Sequence, residues 1–512
     1  MTSPGSYNPQ PPRPPWGIRP PPRKTESTRL PILTAPIPDQ VVIPIQQCLD
    51  MTANAIVHPG QRVLTGEPIA QAVAQAESWA GPTVHASISG EIIAIEERPV
   101  PGPSPIAETC VVIHGDGRDE RYPGYQDLGD PLQLEPERIC ELVAEGGIVG
   151  LGGALFSTAA KLRADKRIHA LILNGAECEP YITCDEMLEL ENAETVLRGT
   201  RIMLRALGAP VAIIAVESEM PEDRVALNDA IEAAGDDDIH VAVVTAKYPA
   251  GGERQLIQMI MGQEVPEGGY PSDIGYVCHN VATAAAVADL FDRGRPLISR
   301  IVTLAGGGIE TTRNVDARIG TRMGDLIEST VGYRIETTQL VMGGPMMGFL
   351  LPDDNLPVTK ATNCLIVAEP GELSPPRPEM PCIRCSECSE VCPAQLLPQE
   401  LLTAAKRKDM AALDELGLNA CIECGCCDYV CPSHIPMTAR FIAAKSNFRE
   451  HHLAMETATR AQTRFENRQA RLEQEARARD RELRDQVDEL AESKPRIIDD
   501  LMARVKSRQD DT

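Results

Sequence analysis

The chain has 512 residues, a formal net charge of −25 and 43 % hydrophobic residues. This length is sufficient for several domains, each with its own core. The negative charge argues against nucleic acid binding, which depends on clustered Lys and Arg side chains. No apolar run approaches the ~18 residues of a membrane span, and the proline-rich N-terminus has no signal-peptide core. We therefore expect a protein that stays in the cytoplasm.

The N-terminal part of the chain predicts an extended arm followed by a β domain. Residues 1–38 are rich in proline, which disfavours helix. The following segments, VHPGQRVLTGEPIAQA and VHASISGEIIAIEE, resemble the two hairpins of a biotinyl or lipoyl carrier. Such a carrier presents a lysine between its hairpins, but this chain has none from residue 25 to residue 160. We therefore predict that residues 39–130 form a lipoyl-like barrel-sandwich domain that has a docking role instead.

A glycine-rich segment, GGIVGLGGALFSTAAKL, occupies residues 146–162. Its glycines allow backbone N–H groups to approach a phosphate, and a helix that starts within FSTAAKL favours an anion at its N-terminus. Lys161 could add positive charge. The segment departs from the dinucleotide fingerprint, because Leu155 takes the last glycine position and a predicted helix precedes it. Taken alone, the segment is equally compatible with a plain turn.

Three apolar segments, RIHALILN, PVAIIAVE and IHVAVVTA, alternate with amphipathic helices after this segment. The alternation predicts a parallel sheet covered on both faces, with ligands bound at the carboxyl ends of its strands. Polar residues and glycines follow the first and third strands: Asn174, Glu177, Glu179, Tyr248, Gly251 and Glu253. These residues are consistent with a binding crevice, although acidic loop residues are more often only solvated.

Two cysteine ladders give the strongest signal in the chain. MPCIRCSECSEVCP at residues 380–393 returns as NACIECGCCDYVCP at residues 419–432. Three closely spaced cysteines can hold one face of a cubic cluster, while the fourth, beside a proline, can reach the other cluster. We predict two [4Fe–4S] clusters. The predicted metal ligands are Cys382, Cys385, Cys388, Cys392, Cys421, Cys424, Cys427 and Cys431.

The main alternative for these cysteines is a pair of zinc sites. Zinc sites usually use two C-x2-C pairs separated by a longer loop, which is not the spacing seen here. Cys426 lies off the repeated spacing, and we predict that it binds no metal. Between the ladders, QELLTAAKRKDMAALDELGL has helical spacing, so a helical two-cluster module is expected after the proline-rich linker LSPPRPEMP.

The order of the motifs resembles that in the flavin- and NADH-binding subunit of respiratory complex I. The glycine-rich segment, NGAECEP, YPAGGE and CHNVAT occur in the same order in both. Together with MGGPMMG and the double cysteine ladder, they resemble the C-subunit family of Rnf electron-transport complexes. This resemblance covers residues 16 to about 445.

The resemblance implies a multidomain α/β and α+β fold. After the sandwich-like β domain, it places a Rossmann-like FMN/NADH domain with a parallel sheet at residues 131–298. A β-grasp module at residues 299–372 and an α-helical two-cluster ferredoxin domain at residues 373–445 follow. The remaining residues, 446–512, are rich in Arg, Glu and Gln and contain i,i+4 pairs such as Glu473 and Arg477. We expect a charged, exposed helical tail there.

The resemblance also implies roles for individual residues. Gly150, Gly152, Gly153 and Lys161 would hold the phosphate of non-covalent FMN. Asn174, Tyr248, Gly251, Asn280 and Thr283 would complete the flavin site, and Phe156, Glu179 and Glu253 would position the nicotinamide. Two departures weaken the nucleotide contacts. Leu151 replaces an arginine of the complex I loop, and Gly252 replaces a glutamate.

The implied function is electron transfer within an ion-translocating ferredoxin:NAD oxidoreductase complex. NADH would exchange a hydride with FMN, and two clusters would pass single electrons to membrane-embedded and peripheral partner subunits, with ferredoxin or flavodoxin involved only indirectly. A negatively charged chain would be repelled by anionic lipid, so we expect partner contacts to hold it at the cytoplasmic face of the bacterial inner membrane. Two alternatives remain open: a cluster-carrying scaffold without NADH chemistry, and the flavin subunit of a soluble NAD-linked hydrogenase or formate dehydrogenase.

Overall fold

The computed structural model describes residues 7–49, 51–72, 81–104, 106–163, 166–334, 339–373 and 377–510. The chain divides into two compact units, residues 1–441 and 442–512. Residues 1–6 of the predicted arm and residues 374–376 of the predicted linker lie outside the described residues. The four β-sheets assigned among the described residues all belong to the first unit.

The described part of the N-terminal arm is extended and crosses several parts of the first unit. Gly17 N donates to Val391 O at 2.9 Å, and Ile18 N donates to Tyr248 O at 2.9 Å. The arm then forms the short strand β1 (Leu33–Thr34), which joins a sheet formed by residues near 300–370.

Two antiparallel sheets form the N-terminal β domain. Its strands are β2 (Gln40–Pro44), β3 (Ala53–Ala55), β4 (Arg62–Val63), β5 (Pro68–Ala72), β6 (Val84–His85), β7 (Gly90–Val100) and β8 (Ile106–Gly115). The order is β2-β8-β7-β4 in one sheet and β3-β5-β6 in the other. Ile43, Ile69, Ile92 and Ile113 are fully buried in a shared core. Two sheets around one core agree with the predicted sandwich-like β domain.

The central region alternates helices with parallel strands. Its elements are α1 (Pro136–Glu145), α2 (Thr158–Leu162), β9 (Ala170–Asn174), α3 (Cys184–Leu207), β10 (Ala212–Glu217), α4 (Pro221–Ala234), β11 (Ile239–Val244), α5 (Glu253–Met261), β12 (Tyr276–Asn280) and α6 (Val281–Arg293). The sheet order is β11-β10-β9-β12, and every neighbouring pair is parallel. The predicted parallel sheet is confirmed.

The strand order creates a crevice. From β9 the chain continues to β10 on one side, whereas β12 lies on the other side, so the connections diverge at the carboxyl ends of β9 and β12. Such a switch point is where open parallel sheets bind ligands. Asn174 and Asn280 end these two strands and are register partners. The sheet topology therefore directs attention to this pair.

A third region combines a mixed sheet with one helix. Its elements are β13 (Ser299–Ala305), β14 (Arg313–Arg318), α7 (Met323–Thr330), β15 (Gln339–Met342), β16 (Phe349–Leu351) and β17 (Cys364–Ala368). The sheet order is β1-β14-β13-β17-β15-β16, with β13 antiparallel to β14 and parallel to β17. The MGGPMMG turn connects β15 to β16.

The cysteine-rich region repeats its backbone every 39 residues. Left-handed residues occur in pairs at this spacing: Arg384 and Glu423, Ser386 and Gly425, Gln395 and His434. Its helices are α8 (Glu387–Glu390), α9 (Pro398–Arg407), α10 (Met410–Glu415) and α11 (Cys426–Tyr429), followed by α12 (Met437–Asp510). The starts of α8 and α11, and those of α9 and α12, again lie 39 residues apart. The two ladders therefore form two copies of one local structure.

The predicted helix between the ladders is divided. Lys408, at φ 53°, caps α9 in the left-handed conformation, and the Asp409 side chain accepts a hydrogen bond from Ala412 N to begin α10. Because Asp is a good N-cap and the left-handed residue ends the preceding helix, two shorter helices replace one.

The second unit, described by itself, is the C-terminal part of α12. Nearly every residue from 449 to 507 is exposed. Arg477 and Glu473 form one of its i,i+4 ion pairs, at 3.7 Å. Within the described part of the chain, no helix combines the length and apolarity that crossing a bilayer requires.

Candidate flavin crevice and cysteine sites

Residues 146–153, called the glycine loop below, lie beside the carboxyl ends of β9 and β12. Gly150 N donates to Phe156 O at 2.8 Å, and Leu151 N donates to Thr283 Oγ1 at 3.0 Å. A Cβ added at Gly152 would lie 3.4 Å from the Cβ of Asn280. The loop is therefore attached to the start of α6 and reaches the strand ends where a ligand is expected.

Gly153 supplies the observation that tests whether a phosphate fits. Its φ is +104°, a conformation that favours glycine, and a Cβ added there would meet no atom within 4 Å. The backbone of the loop is therefore open to a ligand at this point. This open, glycine-lined face fits the FMN phosphate that the sequence predicts, because backbone N–H groups can approach an anion closely only where no side chain intervenes.

Lys161 lies in α2, directly after the glycine loop. Its Nζ donates to Glu253 Oε1 at 2.6 Å and to Cys278 O at 3.0 Å, and it lies 5.9 Å from the centre of the Phe156 ring. Three predicted site residues are thus brought together. The helix α2 spans only five residues, so its own dipole is small. The charge of Lys161 is also shared with a carboxylate, which leaves less for a phosphate.

The two asparagines at the strand ends bind neighbouring segments. Asn174 Nδ2 donates to Gly251 O at 2.8 Å, which fixes the loop before α5. Asn280 Nδ2 donates to Asp185 Oδ2 at 2.5 Å, and its side chain caps α6 by accepting from Ala282 N. Burial raises the pKa of Asp185 to about 7. These contacts bring three predicted flavin residues, Asn174, Gly251 and Asn280, together around one crevice.

The two glutamates of the NGAECEP turn have different partners. Glu177 caps α3, accepting from Asp185 N at 3.2 Å and Glu186 N at 3.3 Å. Glu179 accepts from Met346 N at 2.7 Å and Met347 N at 2.9 Å, which attaches the crevice to the MGGPMMG turn. Burial raises the pKa of Glu179, and these two amides partly offset that effect.

Tyr248 connects the crevice to the cysteine region. Only 2 % of its surface is exposed, and its hydroxyl donates to Cys424 O at 2.7 Å. Gly251, three residues later, donates its N–H to Cys178 Sγ at 3.4 Å. The predicted flavin residue Tyr248 therefore touches the backbone of a predicted cluster ligand.

Two cavities lie among the cysteines, and each is lined by three cysteines of one ladder and the last cysteine of the other. We call the first the outer cysteine site; it consists of Cys382, Cys385, Cys388 and Cys431. We call the second the inner cysteine site; it consists of Cys421, Cys424, Cys427 and Cys392. Four cysteines around one cavity are the residue set that holds a [4Fe–4S] cluster, so the lining of both cavities fits the predicted group.

The surroundings of the two cysteine sites differ. In the outer site, Cys382 and Cys385 are exposed, and Ile383 between them is 67 % exposed. In the inner site none of the four ligand candidates is exposed. Cys426 also lines the inner cavity, and its hydrogen bond is the main cause that lowers the pKa of Cys424.

Sequence reasoning missed two buried cations beside the glycine loop, Arg300 on β13 and Lys360 before β17. Arg300 is 5 % exposed and Lys360 is 1 % exposed. A charged residue inside the apolar strand SRIVTLA was the available signal for Arg300. The segment VTKATNC carries no comparable signal, because only tertiary packing buries its lysine.

Comparison with known families agrees with this organisation. Residues 14–118 match the RnfC barrel sandwich hybrid domain, residues 143–289 match the Nuo51 FMN-binding domain, and residues 380–435 match a 4Fe-4S dicluster domain. The chain thus contains an FMN-binding domain and a [4Fe–4S] dicluster domain, as predicted.

Individual proteins show the same relationship. The C subunit of an ion-translocating oxidoreductase complex from Pseudomonas aeruginosa is 42 % identical over 91 % of this chain, and the alignment spans 60 % of that protein's length. The protein of the same name from Serratia proteamaculans is 39 % identical over 96 % of this chain and 69 % of its own length. A chain of an NAD⁺-reducing [NiFe]-hydrogenase in the H2-reduced state aligns with a TM-score of 0.43 and 19 % identity, over 62 % of each chain.

Similarity to the hydrogenase at that level does not establish a shared fold. The chain spans only 60 % of the length of the Pseudomonas relative. It spans 69 % of the Serratia relative, and this broader match shows the family. Domain matches from residue 14 to residue 435 support the same conclusion. The chain belongs to the family of C subunits of ion-translocating oxidoreductase complexes.

Proposed function

We propose that this protein is the electron-input subunit of an ion-translocating NADH/ferredoxin oxidoreductase complex. It binds NADH and FMN in the crevice and passes single electrons through two [4Fe–4S] clusters to partner subunits. The observation that carries the proposal is the hydrogen bond from the Tyr248 hydroxyl to Cys424 O, which supports a short path from the crevice to the inner cysteine site.

The proposed cofactors divide the chemistry. FMN, when bound, supplies the exchange between two-electron hydride chemistry and one-electron transfer. The chain's residues provide positioning. Gly152 and Gly153 present backbone to the phosphate, and Gly150, whose N–H donates to Phe156 O, fixes the shape of the loop. Asn174 and Asn280 hold the crevice walls, as supported by their contacts with Gly251 and Asp185.

The nicotinamide contacts follow from the family resemblance and from the surroundings of three residues. Phe156 and Glu253 lie near Lys161, and Glu179 receives two backbone amides. We assign Phe156, Glu179 and Glu253 to the nicotinamide side, as the resemblance implies.

The cysteine sites act in series. We assign the cluster ligands across the two ladders, with the inner site receiving electrons and the outer site delivering them. The burial of the inner site beside Tyr248 supports its role as the inlet, and the exposed Cys382 and Cys385 support the outlet role of the outer site. An outlet must lie at the surface, because electron transfer slows steeply with distance from the acceptor.

The surrounding domains complete the proposed assembly. The hairpin β13–β14, the helix α7 and the parallel strand β17 support a β-grasp module at residues 299–372. We propose that the chain attaches to the cytoplasmic face of the bacterial inner membrane through membrane-embedded and peripheral subunits. The family name, which describes one subunit of a complex, supports this arrangement.

One experiment tests the proposal directly. The purified, reconstituted chain should release FMN on acid extraction and contain about eight irons, from two four-iron clusters. Its visible spectrum should bleach on addition of NADH under anaerobic conditions. A chain that holds both clusters and FMN but is not reduced by NADH would instead fit the scaffold alternative.

A further inference from the structure

The positive charge available to a phosphate at the glycine loop is smaller than the sequence suggested. Lys161 is paired with Glu253 at 2.6 Å. Leu151 occupies the position at which the resembled complex I loop carries an arginine, and its side chain is buried at 5 % exposure. A dianionic phosphate held only by backbone amides would lack a nearby cation. The phosphate therefore needs another source of positive charge.

Arg300 reaches the glycine loop from the neighbouring module. Its guanidinium donates to Leu151 O at 3.4 Å and also to Lys360 O. Leu151 N is held from the other side by Thr283 Oγ1 at 3.0 Å. Both backbone groups of Leu151 are thus fixed by buried side chains, one from β13 and one from α6.

The planar peptide bond transmits this contact to Gly152. In a trans peptide, the C=O of one residue and the N–H of the next point in opposite directions. Because Leu151 O faces the buried Arg300, the N–H of Gly152 is directed away from Arg300. Arg300 thereby fixes the direction of one amide in the part of the loop that lies beside Asn280.

Lys360 fixes the beginning of the same loop. Its Nζ donates to Gly147 O at 2.8 Å and to Thr83 O at 3.5 Å, and its backbone N donates to Gln47 Oε1. Of the described carboxylates, none forms an ion pair with Lys360; carbonyl dipoles and the nearby Cys48 thiol are the groups that favour its charged form. Burial lowers its pKa to about 8. An unpaired buried cation is costly unless an anion lies nearby.

We propose that Arg300 and Lys360 are positioning residues for the phosphate of FMN. They lie behind the glycine loop and hold its carbonyl groups on the buried side. Both contribute a positive field to its open side, and the field of Arg300 is partly offset by Asp185 and Glu177. They replace, from another module, the arginine that the loop lacks at Leu151. This inference rests on the proposed flavin site. It explains why that site would bind a flavin that carries a phosphate more tightly than one that does not.

Riboflavin provides the decisive probe, because it is FMN without the phosphate. We would measure the Kd of FMN and of riboflavin for the flavin-free chain, in wild type and in the variants Arg300→Met, Arg300→Lys and Lys360→Met. A charge at roughly 10 Å and an effective dielectric constant near 20 alters affinity on the order of tenfold. Each Met variant should therefore lose about tenfold in FMN affinity, while its riboflavin affinity stays within about twofold of wild type.

Arg318→Met is the matched control. Arg318 belongs to the same module and is also largely buried, but it pairs with Asp119 at 2.7 Å and does not touch the loop. It should leave both affinities unchanged, and iron content should be equal in all variants. Arg300→Lys, which keeps the charge, should restore most of the preference for FMN.

The possible failures are distinguishable. Equal losses of FMN and riboflavin affinity would mean that both residues have only a structural role, and would overturn the inference. Unchanged FMN affinity in Arg300→Met and Lys360→Met would also overturn it. If Arg300→Met does not fold, Lys360→Met and Arg300→Lys give the same comparison. A wild-type chain that binds neither flavin would refute the proposed function itself.

Discussion

The cysteine region and the flavin crevice are built in different ways. Each cysteine site takes three of its four thiols from seven consecutive residues, 382–388 or 421–427, and the fourth from the other ladder. The crevice combines the glycine loop with the ends of two strands and with side chains from other modules, such as Arg300. Local spacing thus dominates one site, whereas tertiary packing determines the other.

This difference predicts which substitutions should disrupt each site. In the cysteine region, a single thiol should control one cluster and leave the flavin untouched. In the crevice, changes in separate segments should all converge on flavin binding and leave the iron content untouched. Tyr248, which belongs to the crevice but contacts Cys424 O, is the point at which the two regions should respond together.

The largest expected effect comes from removing a thiol of the outer site. Cys385→Ala should lower the iron content by about half or more, because a [4Fe–4S] cluster requires all of its ligands. Iron and acid-labile sulfide analysis measures this. Cys426→Ala is the control, since Cys426 lines the inner cavity without belonging to the repeated spacing. Loss of a cluster in that control would show that the proposed ligands are misassigned.

Double variants test whether the fourth ligand of each cluster comes from the other ladder. Cys385→Ala with Cys431→Ala removes two thiols of the outer site and should leave about four irons per chain. Cys385→Ala with Cys392→Ala removes one thiol from each site and should leave close to none. The reverse pattern would mean that each ladder binds its own cluster.

Flavin occupancy is the next largest effect. A Cβ at Gly152 would already be in van der Waals contact with Asn280 Cβ, at 3.4 Å, so the two methyl groups of Gly152→Val would cover backbone that the phosphate must approach. FMN content should fall several-fold with iron unchanged. Lys161→Ala should have a smaller effect in the same direction, because Lys161 is already paired with Glu253. Full flavin retention in Gly152→Val would exclude the glycine loop as the phosphate site.

The same difference explains which site residues could be predicted from the sequence. The cysteine spacing predicted two clusters because three of the four thiols proposed for each lie close together in the chain, and the proline after the fourth suggested that it reaches the other cluster. The glycine loop, Asn174 and Asn280 were identifiable from strand ends and motif order. Arg300 and Lys360 were not, because their approach to the loop depends on how the sheet that contains β13 and β17 packs against it.

Other residues acquired unexpected partners for the same reason. Tyr248 was expected beside the flavin, and the structure gives its hydroxyl to Cys424 O. Thr283 was expected to line the flavin, and its hydroxyl accepts from Leu151 N. Residue type and position relative to a strand end predict the neighbourhood of such side chains. The individual hydrogen bonds depend on contacts between segments that are distant in the chain, and no sequence pattern reveals those contacts.

The smallest effect tests the contact between the two regions. Tyr248→Phe removes the hydroxyl donor to Cys424 O and leaves a buried carbonyl unpaired, at a cost of about 1–3 kcal/mol. The reduction potential of the inner cluster should shift, while that of the outer cluster stays constant, because hydrogen bonding near the ligands tunes potential. Redox titration followed by EPR measures both. Tyr429→Phe, whose side chain is 52 % exposed, is the control and should change neither potential.

The most direct test of the proposed electron path follows the reduction of each cluster after rapid mixing with NADH. In Cys385→Ala, only the inner cluster remains, and NADH should reduce it at the wild-type rate. In Cys427→Ala, only the outer cluster remains, and its reduction should slow by at least an order of magnitude, because the inlet is missing. Undiminished reduction of the outer cluster in Cys427→Ala would contradict the serial path from the crevice through the inner cysteine site.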